Sequence, residues 1–251
     1  MRVEVRGASD IGLKRSQNED HLGHWSPADP AARARRGTLL AVADGMGGAL
    51  AGEVASRIAV ETLLSAWAAA PGGDPLADLT AAAEAANHAV YHESLAHPDL
   101  KGMGTTLCAV AVRGTEGLVA HVGDSRAYLV RDGVARALTD DHSLVAQLVR
   151  SRQLTVEQAR VDPRRNVITR SVGVGPTVEG EAARLDPPLR AGDTLVLCTD
   201  GLHGLVSDAE LAVAATAAGL DAVCADLVRF ARERGGYDNI TVLVARLTEG
   251  E

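Results

Sequence analysis

The chain is poor in aromatic residues, with one Phe, two Trp and three Tyr among 251. Its core must therefore be built from Val, Leu, Ile and Ala, and stacking platforms for single-stranded nucleic acid are scarce. Cysteine is equally sparse. Cys108, Cys198 and Cys224 lie far apart in apolar runs, which excludes a disulfide framework. No C-x-x-C pair exists to hold zinc through thiolates. Long apolar runs are missing too: none approaches the roughly 18–20 residues that span a bilayer. The opening MRVEVRGASD contains no apolar signal region. These absences read as a cytoplasmic chain with no membrane partner, or as a soluble domain cut from a longer one. Basic charge is outweighed, 25 Lys and Arg against 33 Asp and Glu, and the formal net charge of -8 argues against a nucleic-acid partner.

What is present is a regular alternation of strand and helix patterns. VEVRGAS alternates as an opening strand, and TLLAVAD reads as a strand buried on both faces. Ala55, Ile58, Ala59, Thr62, Leu63 and Ala66 mark one face of a long helix. After the breaker PGGDP, Leu76, Leu79, Ala83, Ala86 and Val90 mark a second, and the two should pack antiparallel. From Gly104 onward, TTLCAVAVRG, GLVAHVGD, RAYLVRDG and VARALT read as an antiparallel meander. Residues from Ser143 to about Arg160 turn helical and basic, with Thr155 and Gln158 as a capping box. DTLVLCTDG is a further strand running into an acid and a glycine. Ser207 with Glu210 caps a helix expected to end near Gly219, a last helix runs from about Asp221 to Arg234, and NITVLVARL is a closing strand. No repeat or low-complexity linker divides the chain. The expected fold class is α+β, two antiparallel sheets packed together with helices outside.

Acids recur where strands meet loops: NED at Asn18–Asp20, ADGMGG at Asp44, GDS at Asp124, TDG at Asp200, and GYDNITV, which puts Asp238 just before a strand. A single Asp-Gly at a strand end is usually only a turn. Five on one pattern can converge at one edge of a sandwich. Clustered carboxylates repel unless a cation neutralises them. A donor set of oxygens without His or Cys suits hard ions such as Mn²⁺ or Mg²⁺. The glycines after Asp44 and Asp200 are expected to let carbonyls and waters approach such ions.

In order, SDIGLKRSQNED, VADGMGGALAGEVAS, GTTLCAVAV, HVGDSRAYLVRDG, LTDDHS, RRNVITRSVG, LCTDGLHGLVSD and YDNITVLVARL resemble the metal-dependent Ser/Thr protein phosphatases of the 2C type, bacterial branch. The resemblance covers essentially the whole chain. It implies a single catalytic domain over 1–251, a sandwich flanked by pairs of antiparallel helices (αββα), and a small helical flap at about 138–172. It also implies two Mn²⁺ or Mg²⁺ ions and a weaker third. Asp44 would bridge two ions, with Asp200 and Asp238 completing the first site. The Gly45 carbonyl and Glu19 would serve the second, and Asp124 with Asp200 the third. Arg15 would bind the substrate phosphate, and Asp20 would support the catalytic group from behind the ions. A water activated by the ions would hydrolyse phosphoserine or phosphothreonine in proteins without a phosphoenzyme. The natural partners would be phosphorylated proteins and an opposing Ser/Thr kinase, with the chain acting as a monomer.

Other phosphoryl chemistries find no support. No cysteine begins a C-x5-R loop, and neither a G-x4-GK[ST] loop nor a kinase catalytic loop is visible. The chain departs from many relatives in carrying Met46 where a His is a proposed general acid. His21 and His203 are nearby in sequence, although packing roles suit both. Asp162 stands where the flap of relatives often has His. Arg150, Arg152, Arg160, Arg164, Arg165 and Arg170 make the flap basic, read as a solvated face, with a rim selecting phosphorylated segments as the sharper alternative. Two other functions share this fold: a catalytically weak or inactive pseudophosphatase that binds phosphoproteins, and a metal-binding regulator without hydrolysis. Loss of a metal acid would mark the former, and none is lost.

Overall fold

The computed structural model describes residues 1–217 and 219–250. Eleven strands form among them: β1 Arg2–Asp10, β2 Asp20–Trp25, β3 Thr38–Met46, β4 Gly104–Thr105, β5 Leu107–Arg113, β6 Glu116–Val122, β7 Arg126–Arg131, β8 Val134–Ala137, β9 Glu181–Arg184, β10 Thr194–Cys198 and β11 Ile240–Thr248. The helices are α1 Pro30–Arg36, α2 Ala49–Ala69, α3 Pro75–Ala96, α4 Leu144–Arg150, α5 Val156–Val161, α6 Asp200–His203, α7 Asp208–Ala214 and α8 Leu220–Glu233. One sheet has the order β1-β11-β10-β7-β8; the other runs β2-β3-β5-β6-β9, with β4 paired to β3. All pairings are antiparallel.

Strand alternation builds four layers. Along β3, Leu39, Ala41 and Ala43 pack against α2 and α3, while Leu40 and Val42 point into the space between the sheets. On the other side Val242 and Val244 of β11 face α7 and α8, while Leu243, Ala245 and Leu247 join the central layer. The expected αββα sandwich is therefore present, and α2 and α3 pack together as a pair. All three cysteines are buried within it. Among the described residues, no helix is long and apolar enough to cross a membrane.

Two expectations change. The meander from Gly104 is two hairpins on different sheets: β5 pairs with β6, β7 pairs with β8, and the Gly123–Ser125 turn crosses between the sheets. Alternation reports which face is buried, not which sheet buries it. The helix begun by Ser207 stops at Ala214, short of Gly219, although its capping box with Glu210 forms as expected. Thr155 and Gln158 likewise form their box and start a short helix, which a separate short helix precedes.

Candidate metal centre

The register brings the acids together before any side chain is considered. Asp20 opposes Asp44 across β2 and β3. Cys198, near Asp200, opposes both Arg126 and Val242, so β10 ends where β7 and β11 begin. Asp124 and Asp238 sit just before those two starts. By the alternation that sends Leu40 and Val42 inward, Asp44 falls at the mouth of the space between the sheets. Asp44 lies inside β3, two residues before its end, and Asp200 is the first residue of α6 rather than the last of a strand.

Neighbouring groups hold the acids mostly through their backbones. Asp44 N–H donates to Thr106 Oγ1 at 2.8 Å, and its carbonyl accepts from Thr106 N–H at 2.9 Å and Thr105 Oγ1 at 2.8 Å. Thr106 Oγ1 is in turn 2.7 Å from Ser125 Oγ, beside Asp124. Thr199 Oγ1 donates to Asp20 Oδ2 at 2.8 Å and accepts from Thr241 N–H at 3.1 Å. Glu19 is held through its backbone: its N–H donates to Asn239 Oδ1 at 2.8 Å, and its carbonyl accepts from Ser56 Oγ at 2.6 Å and from Gly45 N–H at 3.1 Å. Arg15 Nη2 reaches Asp238 Oδ2 at 2.7 Å, with its guanidinium half exposed. Every acid named from the sequence is thus on one edge of the sandwich, with Arg15 over it.

The cluster is electrostatically crowded. Burial, then the charges of Asp20, Asp200, Asp124 and Asp238, push the Asp44 carboxyl well above the usual carboxylate range. Burial pushes Asp20 up to about 7, against the pull of hydroxyls from Thr241 and Thr199. Asp124 rises to about 7, chiefly by burial and then by Asp200. Asp200 rises to about 6 by burial and the charge of Asp238, offset by a hydrogen bond with Asp44. Asp20 Oδ1 and Asp200 Oδ1 are buried and have no hydrogen-bond partner. Buried carboxylate oxygens without donors, in a group that repels itself, fit a divalent cation bound through oxygens.

The glycines are also required by packing. A Cβ on Gly45 would overlap the Gly52 carbonyl at the start of α2, and one on Gly201 would overlap the Asn239 carbonyl. Both are required by backbone packed on backbone. The hydroxyls of Thr105, Thr106, Ser125 and Thr199 were not singled out from sequence, although GTTL, GDS and CTD contain them. Neither histidine supplies a free acid. His21 alternates with Asp20 and faces Arg57, Glu61 and Glu53 of α2. His203 Nε2 donates to the Asp124 carbonyl at 2.9 Å, and burial with Arg126 pushes the ring down to about 3.

The geometry has close counterparts. The family model described as Protein phosphatase 2C matches residues 13–245. Serine/threonine protein phosphatase PstP of Mycobacterium tuberculosis is 41% identical over 244 residues, which cover 96% of this chain and 44% of that protein. The chain thus spans less than half the length of that curated relative. Protein phosphatase PhpP of Streptococcus pneumoniae is 36% identical, covering 98% of each. A crystal structure of the catalytic domain of PstP in complex with two manganese ions superposes with a TM-score of 0.85 at 38% identity, covering 98% of this chain and 99% of that one. With the family model, the sequence matches and the fold in agreement over nearly its whole length, the chain belongs to the protein phosphatase 2C family.

Proposed function

We propose that the chain is a Mn²⁺- or Mg²⁺-dependent phosphatase acting on phosphoserine or phosphothreonine in proteins. The observation that carries this reading is the convergence of buried, partnerless carboxylate oxygens beneath one half-exposed arginine. Asp44, Asp200, Asp238, Glu19, Asp124 and the Gly45 carbonyl would hold the ions. When bound, divalent cations supply Lewis acidity to water and to phosphoryl oxygens. Arg15 contributes the positive charge that binds the substrate phosphate and stabilises its equatorial oxygens. Its contact with Asp238 aims the guanidinium at the site before substrate arrives. Asp20, held by Thr199, lies opposite Asp44 across the strand pair and would add negative charge behind it.

The thiols cannot serve as nucleophiles. Burial pushes Cys198 up to about 12 and Cys224 up to about 11, so neither forms the thiolate at neutral pH. Met46 closes the strand without a proton to give, and His203 is committed to the Asp124 carbonyl. The substrates are phosphorylated proteins of a bacterial Ser/Thr kinase, encountered by the chain as a monomer in the cytoplasm.

The test is phosphate release from a phosphothreonine peptide, with Mn²⁺, with EDTA, and with Asp44→Asn plus Mn²⁺. Release by the wild type with Mn²⁺ alone is expected. Activity that survives EDTA, or survives Asp44→Asn and Asp200→Asn alike, would remove these acids from the chemistry.

A further inference from the structure

Asp124 rides on the Gly123–Ser125 turn, the point where the chain leaves one sheet for the other. That turn is gripped from one side by His142. Gly123 N–H donates to His142 Nδ1 at 3.2 Å, and His142 N–H donates to the Gly123 carbonyl at 2.9 Å. The imidazole is 3% exposed. Because Nδ1 accepts, the ring proton sits on Nε2, which faces Glu181 Oε1 at 3.1 Å. Burial and the neighbouring His121 ring lower the His142 pKa, which keeps Nδ1 free to accept. Arg170 Nη1 donates to the same Glu181 oxygen at 3.1 Å, and it also lies 3.1 Å from His142 Nε2, where two N–H groups meet and no hydrogen bond forms.

The ligand-capable atoms of His121, His142 and Glu181 lie within 4.8 Å of one another, close enough to suggest a second cation site. Their geometry serves a different end. The two imidazoles are stacked, 4.5 Å between centroids and 23° between planes, so their in-plane lone pairs run side by side instead of meeting. His121 Nε2 is bonded to the Asp140 carbonyl at 2.9 Å. The guanidinium of Arg170 already neutralises Glu181. What remains is a hydrogen-bonded chain from Arg170 through Glu181 and His142 to the backbone beside Asp124.

The same segment also reaches the other side of the centre. Thr169 N–H donates to the His142 carbonyl at 2.7 Å, and Val172 N–H donates to the Thr105 carbonyl at 2.8 Å. Thr105 Oγ1 is a donor to the Asp44 carbonyl. Residues 169–172 therefore tie the support of Asp124 to the support of Asp44.

We infer that His142 is a positioning residue for Asp124, holding the turn through its Nδ1 acceptor, with Glu181 accepting from Nε2 and so fixing the tautomer that makes this possible. The inference rests on the reading of Asp124 as a metal ligand. Outer partners of metal ligands typically change affinity by about 10- to 100-fold when removed. Mn²⁺ binding is measured by calorimetry on the metal-stripped chain, for wild type, Asp124→Asn, His142→Leu, His142→Asn and His142→Gln. Asn places an acceptor near the Nδ1 position, whereas Gln places its polar end near Nε2 and leaves Gly123 N–H without a partner. The expected result is that His142→Leu and His142→Gln weaken, by about tenfold or more, the binding class that Asp124→Asn abolishes. The tighter class stays within about twofold, and His142→Asn restores the weaker one. Unchanged binding in His142→Leu, an equal fall in all classes, or rescue by Gln as good as by Asn would overturn the inference. Should the Leu variant fail to melt cooperatively, the Asn and Gln pair decides by the same criterion. Wild-type binding in Asp124→Asn would instead overturn the ligand reading and this inference with it, leaving the Asp44 experiment to judge the phosphatase function.

Discussion

Replacing Arg131 by Met should destabilise the fold strongly while leaving the chemistry of each folded molecule untouched. Arg131 closes the end of β7 opposite to Asp124, and Asp193 precedes β10 at the end opposite to Asp200. Arg131 Nε donates to Asp193 Oδ1 at 2.7 Å and Nη2 to Oδ2 at 2.6 Å, with the Asp193 side chain 1% exposed. Removing one partner of such a pair leaves an uncompensated buried charge, a loss of about 3–5 kcal/mol. Arg190 moderates this: its N–H donates to Asp193 Oδ2 at 2.8 Å, and its Nε lies 3.9 Å from Oδ1. The lower end, about 3 kcal/mol, is the expected value. In a chain of this size that is about 6–12 °C in melting temperature. Asp124 and Asp200 lie seven residues from Arg131 and Asp193 respectively, roughly 20 Å away at the rise of a strand, so kcat per folded molecule should hold. Thermal unfolding followed by circular dichroism measures the shift. The double variant Arg131→Met/Asp193→Leu should recover at least half of it, because an apolar pair carries no stranded charge. A shift below about 2 °C, or a double variant as unstable as the single, would refute the account of this pair.

The acid cluster gives a pH prediction for the metal-stripped protein. Asp20, Asp44 and Asp124 bind their protons more tightly when folded, so stability falls as pH rises through about 7. The buried neutral histidines act oppositely, but only below their unfolded value of about 6.5, so melting in EDTA should drop between about pH 6.5 and 8; a rise over that window would contradict the crowding. Thr106→Val strips the acceptor from Asp44 N–H at nearly constant volume. It should cost about 1–3 kcal/mol in urea unfolding and lower kcat, and full activity would deny that hydroxyl a part in holding Asp44. Gly201→Ala pushes a methyl into the Asn239 carbonyl. About 1–3 kcal/mol of destabilisation, with weakened Mn²⁺ binding because Asp238 must shift, is expected from combined unfolding and calorimetry.

The sequence displayed the acids because a carboxylate at the end of an apolar run is conspicuous against its neighbours. It displayed the helix starts at Thr155 and Ser207 because a capping box is a local contact between residues three apart. What it could not display depends on partners far away in the chain. DHLGHW makes β2 despite two histidines and a glycine, because β3 supplies its ladder. EAAR becomes β9 although all four residues are exposed, because the edge of β6 is open to it. Gly45 and Gly201 are also points where two backbones touch, which nothing in their local sequence displays. His142 sat unremarked in LTDDHS, since nothing local indicates that its ring meets Gly123 from across a turn.

Strand β11 is the last in this sequence yet lies between β1 and β10, and it is flanked on its N-terminal side by Asp238. During synthesis, therefore, β1 and β10 wait with unpaired edges until residues near 248 have left the ribosome. No shorter nascent chain can assemble the full set of acids. Its open edges are also the surfaces on which unfinished chains associate. A chain broken off within β11 therefore lacks the strand that joins β1 to β10 and is left to associate through those edges.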